Sequence, residues 1–248
     1  MEIPLPPLPE QRRIATILDQ ADDLRAKRQR QIAEISKMKE SIFCDILTRS
    51  TSSEKRKLGE LFRVSGGKRL AKGELYETEA SAHPYLRVSD MLIGARNTAD
   101  LKYISKAIHK TISRYTVEEN DIVVSITGTI GKIALVAARL AGANLTQNAA
   151  RSRSHPGFDI RPDYLVHVLQ SAEVQSQIST ATGQVRIGKL ALFRIEQLAL
   201  PVIEESLQIE FVRQIKALAK LLKVSKKHLE KLDELFASLQ HQAFRGEL

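Results

Sequence analysis

The 248-residue chain is 43% hydrophobic and carries a net charge of +9, which allows a buried core in one compact domain with helical additions. It has no long uninterrupted apolar run, no basic-then-apolar leader in its first residues and a single cysteine, Cys44. A membrane span, a signal peptide, an internal disulfide and a cysteine-held zinc site are therefore not expected, and a soluble cytoplasmic protein is.

The opening Ile3-Pro4-Leu5-Pro6-Pro7-Leu8-Pro9-Glu10-Gln11 excludes helix until Pro9, which fits a first helical turn with Glu10 beside the positive end of the dipole. From there Ile14, Ile17, Ala21, Leu24, Ile35, Met38 and Ile42 follow a three-and-four spacing, interrupted by Arg28, Gln31 and Asp45. The pattern predicts one helix to about Leu47, roughly 50 Å long from Ile14 at about 1.5 Å per residue. The polar run from Thr48 to Glu54 has no apolar period and reads as a linker, so a middle domain starts near Lys57.

That middle segment has β-like runs at Pro84–Val88, Asp121–Ile126 and Ile133–Val136, separated by glycine-containing turns, and a predicted helix from Pro162 to Ile178. It is mixed α and β, strand-rich first and helical later; strand order does not follow from the pattern. A second heptad seam runs through Ile215, Leu222, Leu229, Phe236 and Ala243 at one position and Phe211, Leu218, Leu232 and Leu239 at the other, broken by Ser225. Its lead-in, Leu200-Pro201-Val202-Ile203-Glu204-Glu205, matches Leu5-Pro6-Pro7-Leu8-Pro9-Glu10, and Ile209 and Val212 mirror Ile14 and Ile17, so an internal repeat brackets the middle domain. The expected organisation is 1–50, a proline-led segment and coiled-coil helix; 51–199, the middle domain; and 200–248, a second coiled-coil helix. The charge is uneven across these parts: residues 51–199 hold 21 Lys+Arg against 14 Asp+Glu, and each flank is +1. A basic excess in one segment is the footprint of a surface that neutralises phosphates.

The phrase Leu8-Pro9-Glu10-Gln11-Arg12-Arg13-Ile14-Ala15, followed by a long helix with Leu18-Asp19 and Ala21-Asp22, resembles the conserved region of type I restriction–modification specificity subunits. Tyr85-Leu86-Arg87-Val88-Ser89-Asp90, Asp121 to Ser125, Gly128-Thr129-Ile130-Gly131-Lys132, Asn144 to Asn148 and Ile187 to Leu190 extend the resemblance in order along nearly the whole chain. It implies an α+β protein in which a target-recognition domain of mixed α/β structure is held between two long helices forming an antiparallel coiled coil. The full family pattern alternates two recognition domains with two conserved helices; with helix, domain, helix, this sequence looks like the C-terminal half. The resemblance further implies that the domain reads one half of a bipartite double-stranded DNA target while the helices act as ruler and dock methyltransferase subunits, with a restriction subunit as a further partner. Two copies pairing through their helices would form a homodimer and read a palindromic target.

No Asn-Pro-Pro-aromatic tetrad and no Gly-x-x-x-x-Gly-Lys-Ser/Thr loop is present, so the chain is expected to be non-catalytic, without cofactor. Methylation and cleavage would belong to its partners. The six histidines lack metal-ligand spacing, and no metal is expected. Arg pairs with guanine edges and Asn or Gln with adenine edges, so loops holding both types are the candidates: Lys68 and Arg69; Gln147, Asn148, Arg151 and Arg153; Gln184, Arg186 and Lys189. Arg87 of the family-like phrase joins them, as do Thr127, Thr129 and Lys132 around the glycines, where either a tight hairpin or phosphate contacts fit. Asn144 to Asn148 can equally be a polar turn before a strand. Two other readings remain open: a coiled-coil scaffold whose middle domain binds protein, or DNA without sequence preference, and an enzyme with unrecognisable motifs.

Overall fold

The computed structural model describes residues 6–52, 54–92, 101–158, 160–182 and 188–248. In chain order the elements are α1 (Leu8–Arg49), β1 (Lys55–Lys57), α2 (Leu58–Leu61), β2 (Phe62–Gly66), β3 (Pro84–Leu86), α3 (Val88–Leu92), β4 (Lys102–Tyr103), α4 (Lys106–Thr111), β5 (Ile122–Ser125), β6 (Ile133–Leu135), β7 (Asn144–Leu145) and β8 (Ala149–Ser154). There follow α5 (Pro162–Leu169), α6 (Ala172–Thr182), α7 (Leu192–Glu196), β9 (Ala199–Pro201) and α8 (Glu205–Arg245). The chain divides into two compact units, residues 49–210 and residues 1–48 together with 211–248.

In the first unit a four-stranded antiparallel sheet runs in the order β2-β8-β5-β6, and a three-stranded one in the order β4-β3-β7 with β3 and β7 parallel. The β-branched run Ile122-Val123-Val124 is fully buried, as a central strand covered on both faces requires. Val123 packs with Leu86, Val117, Val136, Leu145 and Ala149 in one apolar cluster of this unit, and Tyr85, Ile104 and Ile112 form another. A two-stranded ribbon pairs β1 with β9, so Lys55 faces Pro201. The predicted strand at Pro84–Val88 is shorter than expected, because Val88 opens α3: Asp90 turns back to accept from the Arg87 amide at 2.8 Å and starts that helix. The predicted helix Pro162–Ile178 is two helices. Ser171 Oγ accepts from the Val174 amide at 3.4 Å, so a serine competing with the main-chain ladder starts α6 afresh.

In the other unit α1 and α8, 42 and 41 residues long, run antiparallel: Phe43 meets Phe211 with ring centroids 5.6 Å apart, and Arg25 meets Asp233 at 2.7 Å. The α8 seam lies as its heptads predict, with Phe211 and Ile215 buried, Leu218, Leu222, Leu229, Leu232 and Leu239 half-buried, and Ser225 itself buried. The α1 seam differs from expectation. Leu24 and Met38 are 52% and 50% exposed, whereas Ala21, Arg25, Arg28, Ile32, Ile35, Lys39, Ile42 and Ile46 are buried or half-buried. Long basic side chains can occupy a seam because their methylene stems bury while the charged heads reach outward. Arg25 lays its guanidinium 4.5 Å above the Phe236 ring, and burial pulls the Lys39 ammonium below its ordinary pKa. Among the described residues no helix is long and apolar enough to cross a membrane, and no group of three acidic, histidine or cysteine side chains could hold a metal ion.

Candidate nucleic-acid interface

The loop leaving β2 is drawn against the segment between β7 and β8. Gly67 donates its amide to the Ala149 carbonyl at 3.0 Å and Lys68 to the Leu145 carbonyl at 2.8 Å, while Tyr85, itself buried, donates its hydroxyl to the Lys68 carbonyl at 2.7 Å. Burial of that ring raises the Tyr85 hydroxyl above its ordinary pKa, so it remains a donor. Three main-chain anchors thus leave the side chains of Lys68 and Arg69 exposed while fixing their backbone.

A second loop joins from β5. The glycines of the 128–131 turn adopt left-handed φ values of +75° and +82°, which supports a tight hairpin between β5 and β6. Ser125 Oγ accepts from the Lys132 amide at 2.8 Å and donates to the Thr129 carbonyl. Thr127 forms an isolated antiparallel bridge with Lys189, and the Ile126 amide bonds the Asn148 carbonyl at 2.8 Å. These links bring Lys68, Arg69, Gln147 and Lys189 to the wall of one cleft with Ile126 and Leu190. Arg69, Gln147 and Asn148 also line an adjoining cleft with Lys72, Tyr76 and Tyr85. Three exposed cations beside two amide side chains, on loops held by main-chain bonds, make a surface able to neutralise phosphate and pair with base edges.

The remaining candidates fall elsewhere. Arg87 is engaged by the buried Asp90, Nη2 to Oδ1 at 2.7 Å and Nε to Oδ2 at 3.1 Å. Arg153 is gripped by Asp121 at 2.8 and 2.7 Å and by Glu118 at 2.6 Å; the Asp121 bonds, first of all, raise its pKa. Arg151 reaches neutral acceptors, Ser65 Oγ at 2.9 Å and the Arg114 carbonyl at 3.2 Å. It lines a separate cleft with Arg63, Arg114 and Tyr115. Thr129 and Lys132 sit exposed at the hairpin, and Gln184 and Arg186 lie outside the described residues. Asn144 lies apart from the polar-turn alternative: it is fully buried in β7, donating to the Ile112 carbonyl at 2.8 Å and facing His109 Nδ1 at 2.7 Å. Sequence reading missed Lys72, Tyr76, Arg63 and Arg114. The alternation Phe62-Arg63-Val64-Ser65 marks Arg63 as facing away from the buried Phe62 and Val64, but its cross-strand neighbours carry no local signal.

Two long antiparallel helices joined to a unit of small mixed sheets define the architecture seen in solved type I specificity subunits. A chain of a type I restriction–modification system, from a structure addressing complex assembly and conformational transition, matches with a TM-score of 0.71 at 17% identity over 99% of this chain and 62% of that one. The specificity subunit from Thermoanaerobacter tengcongensis matches at 0.63, with 17% identity over 99% of this chain and 61% of its own. The subunit from M. genitalium matches at 0.54, with 16% identity over 94% and 60%. In sequence the chain is 27% identical over 280 aligned positions to the EcoBI specificity subunit of the type I restriction enzyme of Escherichia coli, covering 99% of this chain and 58% of that protein. The family model for the type I restriction modification DNA specificity domain matches residues 51–234, and the chain belongs to that family. It spans a little under two thirds of the length of each of these relatives.

Proposed function

We propose that this chain is a non-catalytic DNA-reading subunit whose middle unit recognises one half of a bipartite duplex target and whose helices hold its partners. The convergence of Lys68, Arg69, Gln147, Asn148 and Lys189 on adjoining clefts carries the reading, supported by the family to which the chain belongs. Arg69 and Gln147 supply the paired hydrogen bonds that distinguish guanine and adenine edges in the major groove, and Lys68 and Lys189 hold the flanking phosphates. Thr127, Thr129 and Lys132 extend the phosphate contacts from the hairpin, and Gln184 and Arg186, which precede Lys189 in sequence, remain candidates for further contacts. Arg87 and Arg153, each already committed to carboxylates, shape the site and leave base contact to these others.

Methyltransferase subunits, and a restriction subunit in the cleaving assembly, supply the chemistry. Leu24 and Met38 on α1, and Leu221, Val224 and Leu235 on α8, are exposed large apolar side chains outside the pairing seam. They give the helices a second apolar stripe for a methyltransferase subunit or for a second copy of this chain. Paired copies would bring two identical recognition domains to a palindromic target.

The test is a modified-base map of DNA from cells expressing this chain with its cognate methyltransferase subunit. A two-part palindromic motif that appears only with this chain is the expected result. An asymmetric two-part motif would replace the paired copies by one copy beside a different recognition domain. Absence of any chain-dependent motif would overturn the reading and favour a scaffold.

A further inference from the structure

The antiparallel pairing of β2 and β8 sets Arg63 opposite Arg153 and Ser65 opposite Arg151, while Phe62, Val64 and Ser152 at the intervening positions are buried. Residues directly opposite on neighbouring strands share a face, so three arginines occupy one patch. The turn Ser113–Tyr115 adds a fourth, Arg114, whose guanidinium stacks 4.7 Å from the Tyr115 ring. Together with Ser65 these residues wall one cleft.

The charges within this cleft do not balance. Its two nearby carboxylates, Asp121 and Glu118, are both taken by Arg153. Arg151 reaches only a hydroxyl and a carbonyl, and neither Arg63 nor Arg114 forms an ion pair among the described residues. Burial, and then the neighbouring Arg153, depress the Arg151 pKa, with Asp121 and Glu118 only partly opposing the shift because Arg153 holds both carboxylates. Arg153, two residues along the same strand, shows what a structural arginine looks like here: it has recruited a buried aspartate. Arginines that converge without such a partner are complementary to an anion supplied from outside.

The location narrows the choice of anion. Gly66 and Leu192 line this cleft and also the one that holds Lys68, Arg69, Gln147 and Lys189. We infer that Arg63, Arg114 and Arg151 form a phosphate clamp that grips the DNA backbone beside the bases read in the neighbouring cleft. The inference rests on the proposed function and deepens it by assigning these arginines to positioning on the duplex, independent of base sequence.

The test measures affinity of the full chain for a duplex carrying its methylated motif and for a scrambled duplex, each over a salt series. The chain itself, Arg63→Gln, Arg114→Gln and the double variant are compared, with thermal melting to confirm that each is folded. For both duplexes, each single substitution is expected to lower the slope of log affinity against log salt by about one, with the methylated motif unchanged. Folded variants with unaltered slope and affinity would overturn the clamp while leaving the functional reading in place. A changed motif would also overturn it, since the arginines would then be reading bases. In a second arm, saturable binding of inorganic phosphate that is lost in the double variant, with DNA affinity unaltered, would make the cleft a free-anion site and reject the DNA assignment. Failure of the unsubstituted chain to bind either duplex would overturn the functional reading and the clamp with it.

Discussion

Gly67 carries no side chain where one would be intolerable: an added Cβ would lie 2.1 Å from the Thr146 carbonyl oxygen and 2.3 Å from that of Leu145. Both obstacles are main chain and cannot rotate aside, so Gly67→Ala must push the loop carrying Lys68 and Arg69 away from the β7–β8 segment. The expected cost is about 1–3 kcal/mol in chemical denaturation, accompanied by weaker DNA binding; an unchanged denaturation midpoint would contradict the close approach. Arg153 is the complementary case. Its carboxylate partner Asp121 is 2% exposed and would lose two charge-assisted bonds in Arg153→Gln. Destabilisation of about 1.5–3 kcal/mol is expected, with the slope of DNA affinity against salt retained. Loss of DNA affinity at full stability would place Arg153 on the DNA instead.

At the scale of elements, the unit of residues 49–210 is closed where its chain enters and leaves. The β1–β9 ribbon brings the two ends together, and Glu204 fastens them by accepting from Ser50 Oγ at 2.7 Å, from the Thr51 amide at 2.9 Å and from the Thr51 hydroxyl. The Thr51 hydroxyl bond, followed by that from Ser50, lowers the Glu204 carboxyl from 4.5 to about 2. Because the folded pKa is the lower one, this stabilisation is fully present above about pH 4.5 and is lost as pH falls toward 2. Thermal melting between pH 6 and pH 2 should therefore fall less steeply in Glu204→Gln than in the unsubstituted chain; parallel curves would show that the carboxylate is not a clasp. Arg49 and Glu210 pair bidentately at 2.7 Å just beyond it, a second fastening at the same junction.

For the whole molecule, the proposed ruler makes a quantitative demand. Inserting seven residues between Arg30 and Gln31 and seven between Lys227 and His228 would preserve both heptad registers, because these points face one another in the antiparallel pair marked by the Arg25–Asp233 contact. The helices would lengthen by about 10 Å at about 1.5 Å per residue, or about three base pairs of duplex at about 3.4 Å each. The methylated motif should keep its half-sites and gain a spacer of that size. An unaltered spacer would show that the helices do not set the separation.

By itself the sequence determined the long helices, the runs that become β5 and β6 with the glycine turn between them, the α8 seam, and the family, because each is written in local spacing: heptads, glycine turns and an ordered set of short phrases. Tertiary structure decided which candidate side chains meet. Lys68, Gln147 and Lys189 become neighbours only through pairing between β2, β8 and β5 and the bridge from Thr127 to Lys189. It also decided which arginines remain available, since Arg87 and Arg153 look like Arg69 in sequence but lie within reach of Asp90 and Asp121. The α1 seam belongs to this second group: Leu24 and Met38 fit an apolar period, but packing against α8 selects Arg25 and Lys39, whose stems bury while their charges find an exit. Periodicity is a property of one segment, whereas strand pairing, the α1 seam and the capture of Arg153 by Asp121 depend on residues far apart in the chain, and that is why only the fold could settle them; the Arg87–Asp90 pair, three residues apart, is local and needed only the turn that opens α3.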